Sequence, residues 1–263
     1  MSYKKRLDGR TWEETRPIEA KAKVIPNADG SAFFRIGKTT AYAAVYGPRN
    51  LHPRFLQNPK KGLLRCFYNM MPFSGMGDRV RPGTNRRSKE ISMVMQKALE
   101  PVIDLTEWPN AVVDVFVELT ETDAGSRCAA ICAAAIALAD AGIIMKDMVS
   151  AVAVGVIDNQ ILADLDYQEE AYEDGPVADI PVAVLHNTQE ISLLQMDGEI
   201  TREQLVESLE LAKKVAAKIN EVQKKALKES FKKGTETPKV TKDKVPGTPK
   251  VVSGTSERGN QNE

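Results

Sequence analysis

Cysteine is scarce in this chain, formal net charge is absent, and no apolar run approaches the length of a membrane span. Each absence removes a class of protein. The three cysteines, Cys66, Cys128 and Cys132, are too few and too apolar in setting for a disulfide framework or a zinc site, so a reducing compartment is expected. Cys128 and Cys132 stand four apart in an apolar stretch and read as small core residues. Lys and Arg number 36 against 36 Asp and Glu, so no bulk basic field draws in nucleic acid, and any basic surface has to be local. That balance does not exclude RNA. The start, Met-Ser-Tyr-Lys-Lys-Arg, leads into no apolar signal core. A soluble, cytoplasmic protein without a membrane partner is the expectation.

What the chain does have is ordinary globular material, 42% hydrophobic and 27% charged, and one stretch that organises it. Ala111 to Leu119 alternates Val113, Val115, Val117 and Leu119 with Asp114, Phe116 and Glu118, the period of a half-buried strand. Thr120-Glu-Thr-Asp-Ala-Gly-Ser-Arg127 follows, and then Cys128 to Asp140, nearly all small and apolar, which predicts a helix packed in the interior. Gly125 permits a sharp turn, and Ser126 is the expected N-cap. A helix start favours an anion, whereas Arg127 in the first turn is disfavoured by roughly 0.3 to 1 kcal/mol unless something negative is bound. Two readings stand on these residues alone: an anion site, or a capped core helix whose arginine reaches solvent.

The same misfit recurs upstream. Arg86 and Arg87 open a helix whose apolar positions Ile91, Val94, Met95, Ala98, Leu99 and Val102 have helical spacing. An arginine fork suits phosphate oxygens, so the two helix starts suggest a shared polyanion site, although Arg86 and Arg87 could instead pair with Glu90 or other acidic surface. A basic run, Arg49 to Lys61, reads as an exposed loop. Further on, Asp164, Asp166, Glu169, Glu170, Glu173, Asp174 and Asp179 fall close together, and most are expected to be solvated. Asp179 differs because it heads the apolar strand Ile180 to Leu185, where a fixed carboxylate can act as general acid or hold Mg²⁺.

Around these motifs the pattern predicts an antiparallel meander through Ser31–Ile36 and Thr39–Tyr46, ended by Gly47-Pro48, and a strand over Leu63–Met70. It also predicts a hairpin across Asp158-Asn159 and a long helix from a capping box at Thr201-Arg-Glu-Gln204 to about Phe231. Residues 1–233 form the expected folded domain, and 234–263, rich in Thr, Lys, Pro and Gly, an expected disordered tail.

With these elements placed, the chain resembles the RNase PH family, and within it the catalytic ring subunits of archaeal exosomes. The resemblance rests on several separated segments: Leu7-Asp-Gly-Arg10 with Arg16-Pro17-Ile18, Ala28 to Ala32, Val45-Tyr-Gly-Pro48, Met71-Pro72-Phe73-Ser74, Arg86-Arg87, Asp123 to Arg127, Ala137 to Gly142, and Asp164-Leu-Asp166 leading to Ala178-Asp179. It implies an α/β (α+β) RNase PH fold of ribosomal-protein-like βαβα kind, a mixed sheet packed against helices. It also implies a 3'-to-5' exoribonuclease in which inorganic phosphate attacks the terminal phosphodiester and releases a nucleoside diphosphate, a reaction that run backwards extends RNA. Residue by residue, it implies Gly125, Ser126, Arg127 and Arg87 as phosphate ligands, Arg86 and Arg54 as contacts to single-stranded RNA, and Asp179 as catalytic acid. Mg²⁺ is implied on Asp179 with an upstream carboxylate, Glu173 or Asp174. The implied partners are RNA-binding cap proteins and an inactive sister subunit, three such heterodimers closing a hexameric ring. A non-catalytic RNA-binding ring subunit, or a homohexamer trimming tRNA 3' ends, are the alternatives.

Overall fold

The computed structural model describes residues 3, 5–76, 79–173 and 175–235. The chain opens with a meander, β1 (Ile18–Ala22), β2 (Gly30–Ile36) and β3 (Thr39–Asn50), followed by β4 (Leu63–Met70), α1 (Arg86–Leu99) and β5 (Ala111–Glu121). The central helix α2 (Ser126–Asp140) leads to β6 (Val149–Ile157), β7 (Gln160–Ala163), the one-turn α3 (Tyr167–Glu170), β8 (Val177–Leu185), β9 (Ile191–Leu194) and α4 (Arg202–Thr235).

Two sheets result. The first has the order β1-β2-β3-β5-β4, antiparallel except for the parallel pair β4 and β5, which α1 joins as the crossover a parallel pair requires. The second is antiparallel, β7-β6-β8-β9. Helix α2 touches strands of both sheets and is buried from Cys128 to Leu138, as its lack of any polar face requires. Its run of alanines lets both sheets approach closely, while Ile131, Ile136 and Leu138 each gain roughly 1.5–3 kcal/mol by leaving water. At its C-terminal end the approach is tight enough that a side chain at Gly30 would place a Cβ 2.2 Å from the Ala141 amide. Helix α4 lies over β6 and β1, and the predicted capping box closes both its bonds, Gln204 amide to Thr201 hydroxyl (3.2 Å) and Thr201 amide to Gln204 Oε1 (2.8 Å).

Three expectations are corrected. Strand β3 does not end at Gly47-Pro48 but continues through a register shift to pair Asn50 with Ala111. Helix α4 spans Arg202–Thr235, close to the expected extent, and of the expected tail, residues 236–263 lie outside the described residues. The acidic run is not mainly solvated at its start, because Asp164 and Glu169 are buried against arginines. The N-cap of α2 is Gly125, not Ser126, which is already the first helical residue.

Candidate active site

The meeting of β4, α1, α2, α3 and β8 leaves a cavity of about 340 Å³, and Arg87, Gly125, Ser126, Arg127 and Asp179 all line it. Two arginine-bearing helix starts far apart in sequence thus open on one space, which Asp179 also lines. They do not contribute alike. At α1, Asn85 and Ser88 exchange reciprocal caps (Ser88 amide to Asn85 Oδ1, 2.7 Å; Asn85 amide to Ser88 Oγ, 2.9 Å), so this end is capped by its own side chains and offers the cavity the Arg87 side chain. At α2 no side chain caps the helix. Ala124 (φ 56°) and Gly125 (φ 61°) are both left-handed there, turning the chain so sharply that no side-chain oxygen reaches the first-turn amides. Of the two starts, α2 is therefore the one that retains an anion cradle.

Around the cradle the charge is held by neutral or apolar neighbours. Arg127 donates from Nη1 to the Gln195 side-chain carbonyl (2.8 Å), a neutral acceptor that orients the guanidinium without cancelling it. The Tyr68 hydroxyl is buried beside Ser126 and Arg87 without a closed hydrogen bond, and burial pushes its pKa up, so it stays protonated and able to donate. Cys128 also lines the cavity, but complete burial holds its thiol well above the usual range, and it is inert.

Asp179 is fixed by its backbone. In β8 it pairs with Gly155 and exchanges both main-chain hydrogen bonds with Asp197 (2.8 and 2.9 Å). Its Oδ1 is buried and has no hydrogen-bond partner. Burial raises its pKa to about 6, and the Glu170 charge raises it further than Arg127 lowers it. A carboxyl poised near neutrality next to a cationic cradle can hand over a proton where a leaving oxygen needs one.

The remaining expected residues separate from this group. Arg86 is exposed at the first position of α1 and does not line the cavity, and Arg54 is exposed on a 3-10 turn (Arg54–Leu56) away from it. Glu173 is exposed and also outside the lining, while Asp174 lies outside the described residues. The second cavity carboxylate is instead Glu170, at the end of α3. Asp166-Tyr-Gln-Glu169 is a capping box, and it would have marked this helix from sequence alone. Among the described residues no three carboxylate, His or Cys side chains gather as a metal site. Asp179 and Glu170 are the two carboxylates among the residues that line the cavity.

The family model for domain 1 of the 3' exoribonuclease family, RNase PH, matches residues 14–144, and that for domain 2 matches residues 147–215. The chain belongs to the RNase PH family of 3' exoribonucleases. The boundary between the two RNase PH domains falls just after α2, so the cavity is assembled from both: Arg87 and Arg127 from the first, Asp179 and Glu170 from the second. The exosome complex component Rrp41 of Thermococcus kodakarensis is 48% identical over 229 residues, covering 87% of this chain and 90% of that protein. Among solved structures, rice (Oryza sativa) Rrp46 superposes with a TM-score of 0.74 at 24% identity, covering 84% of this chain and all of that one. An Archaeoglobus fulgidus exosome chain, solved with RNA bound to the active site, gives 0.70 at 21% identity, covering 82% and 92%. Both share the RNase PH fold.

Proposed function

We propose that this chain is the catalytic ring subunit of an RNA exosome of the archaeal kind, degrading single-stranded RNA from its 3' end by phosphorolysis. The observation that carries the reading is the shared cavity: an uncapped helix start with Arg127 and Arg87 beside it, facing a half-buried carboxyl whose pKa is raised to about 6. The 48% identity to an Rrp41 over nearly its whole length supports the placement in an exosome.

Inorganic phosphate binds at the first-turn amides of α2, held by Ser126, Arg127 and Arg87. One of its oxygens attacks the phosphorus of the terminal phosphodiester; that P–O bond forms as the bond to the upstream 3' oxygen breaks, and a nucleoside diphosphate leaves. Asp179 donates its proton to the departing 3' oxygen. Bringing two anions together is the main obstacle, and the fixed guanidinium and amide dipoles offset it. Arg86, next to Arg87 but turned outward, and Arg54 meet the RNA backbone outside the cavity. Mg²⁺ would be held chiefly by Glu170, with the buried unpartnered Oδ1 of Asp179 contributing only when that carboxyl is unprotonated, since this ion takes one or two carboxylates with substrate phosphates and water. When bound it neutralises phosphate charge. The working assembly is a cytoplasmic hexameric ring of three heterodimers with an inactive sister subunit, topped by RNA-binding cap proteins.

The test is a phosphate titration with the assembled ring. The RNA is shortened only when phosphate is present, with saturation, and the products are diphosphates. Arg127→Ala raises the KM for phosphate about 10- to 100-fold, the loss of a charge-assisted hydrogen bond, and leaves the RNA Kd nearly unchanged. Shortening without phosphate, yielding monophosphates, would refute the reading.

A further inference from the structure

One buried guanidinium sits behind the cavity and grips the two segments that lead to its charged walls. Arg16 lies in the segment before β1, 5% exposed and outside the cavity lining. Its Nε and Nη2 form a two-pronged pair with Asp164 (2.8 and 2.6 Å), whose Oδ2 also accepts the Arg16 amide (2.8 Å). Its Nη1 donates to the main-chain carbonyl of Asp123 and lies 3.5 Å from that residue's Oδ2.

The two gripped segments lead to the two halves of the site. Asp123 precedes the left-handed pair Ala124 and Gly125, from which the uncapped start of α2 springs. Asp164 opens the segment that becomes α3, and the Asp123 carboxylate accepts the amide of Tyr167 at the head of α3 (3.1 Å), whose last residue is Glu170. From the opposite side, Thr39 takes the Asp123 amide (2.9 Å) and donates its hydroxyl to the Ala124 carbonyl (2.8 Å). A left-handed Ala124 carries a strain of order 1–3 kcal/mol and persists only where its surroundings impose it. Arg16 and Thr39 are the groups that do so. The bidentate shape matters, because a lysine keeps the charge opposite Asp164 but its single ammonium has no fork to span both segments.

We infer that Arg16, backed by Thr39, is a positioning residue that holds the turn at Asp123–Gly125 so that the amides of α2 and Arg127 meet the attacking phosphate in register with the acidic wall. The inference rests on the phosphorolytic reading above. It assigns Arg16 no contact with phosphate or RNA, so its effect is felt through the phosphate cradle and not through the RNA-binding residues Arg86 and Arg54.

The experiment compares wild type, Arg16→Lys and Thr39→Val, each assembled in the ring, by phosphate KM, RNA Kd and thermal melting. The expected result is a phosphate KM raised about tenfold in Arg16→Lys and by less in Thr39→Val, the RNA Kd staying within about twofold, since displacement of a binding group by a fraction of an ångström is costly at the reacting centre alone. If Arg16→Lys fails to assemble, Thr39→Val decides. A phosphate KM unchanged in the variants that assemble, or a phosphate KM and an RNA Kd rising together, overturns the inference. The wild-type control separates the two claims: a wild-type ring that needs no phosphate refutes the reaction itself, and with it the inference, whereas phosphate-dependent wild type with unshifted variants refutes only the role of Arg16.

Discussion

Replacing Asp179 by asparagine is expected to reduce turnover by a thousandfold or more while making the isolated chain more stable. The first half follows from the proton. Asparagine has nearly the same shape but no acid, and general acid assistance contributes roughly 10²–10⁴-fold to a rate. RNA binding persists, because the contacts assigned to it lie on other elements. The second half follows from linkage. The pKa of Asp179 is raised by burial first, then by Glu170, so the folded protein prefers the protonated form. With a folded pKa of about 6 against an ordinary aspartate value of 3.8, the penalty is absent below pH about 4, grows as pH rises towards 6, and is fully present above that. At about 1.4 kcal/mol per pKa unit, asparagine removes a cost of order 3 kcal/mol at pH 7.5 and almost none at pH 4. Thermal melts of both proteins in chelator at the two pH values check it. A variant as active as wild type, or one whose melting temperature falls at pH 7.5, contradicts the assignment.

The largest loss of stability is expected at Glu169, a residue that touches no ligand. Glu169 and Arg6 are 0% and 2% exposed, and the pair is closed by Arg6 Nη2 to Oε2 (2.6 Å) and Nε to Oε1 (2.8 Å), with the Tyr3 hydroxyl also donating to Oε1 (3.0 Å). Arg6 spends its other donors on main-chain carbonyls, among them those of Ala163 and Asp164. Taking away one partner of a buried pair leaves the other charge dry and unpaired, which costs about 3–5 kcal/mol. Glu169→Ala should lose that much by chemical denaturation, and Glu169→Gln, which can still accept from Arg6, should lose less. Because Glu170 is the next residue and faces the cavity, the alanine variant should lose activity before it loses its fold. A Glu169→Ala protein as stable as wild type would show that the pair adds nothing.

Periodicity made the two arginine-bearing helix starts legible, and with them Arg87, Gly125, Ser126, Arg127 and the edge-of-core Asp179. These are local signals, a strand period or a glycine before an apolar helix. Whether the two starts met was invisible, because that depends on how both sheets wrap α2. The acidic run failed for a related reason: composition says solvated, but Asp164 and Glu169 are buried by arginines some 150 residues earlier in the chain, Arg16 and Arg6, which no local pattern pairs with them. Glu170 sits inside that run with no local pattern to set it apart from its acidic neighbours, Glu173 and Asp174 included. The cap of α2 was misplaced by one residue because Ser126 has the right chemistry, and the left-handed turn at Ala124 and Gly125 cannot be read from composition. The basic loop kept its exposure, though Arg49 is paired with Asp29 (3.1 Å) and lies over the Tyr46 ring.

The most direct test of the central claim, that this cavity holds phosphate as the attacking group, is to follow oxygen. Wild-type ring is given single-stranded RNA with phosphate carrying heavy oxygen in ordinary water, and in a parallel reaction ordinary phosphate in heavy-oxygen water. The account predicts the label on the terminal phosphorus of the released diphosphate in the first reaction and no incorporation in the second. Label drawn from water into a nucleoside monophosphate would contradict it.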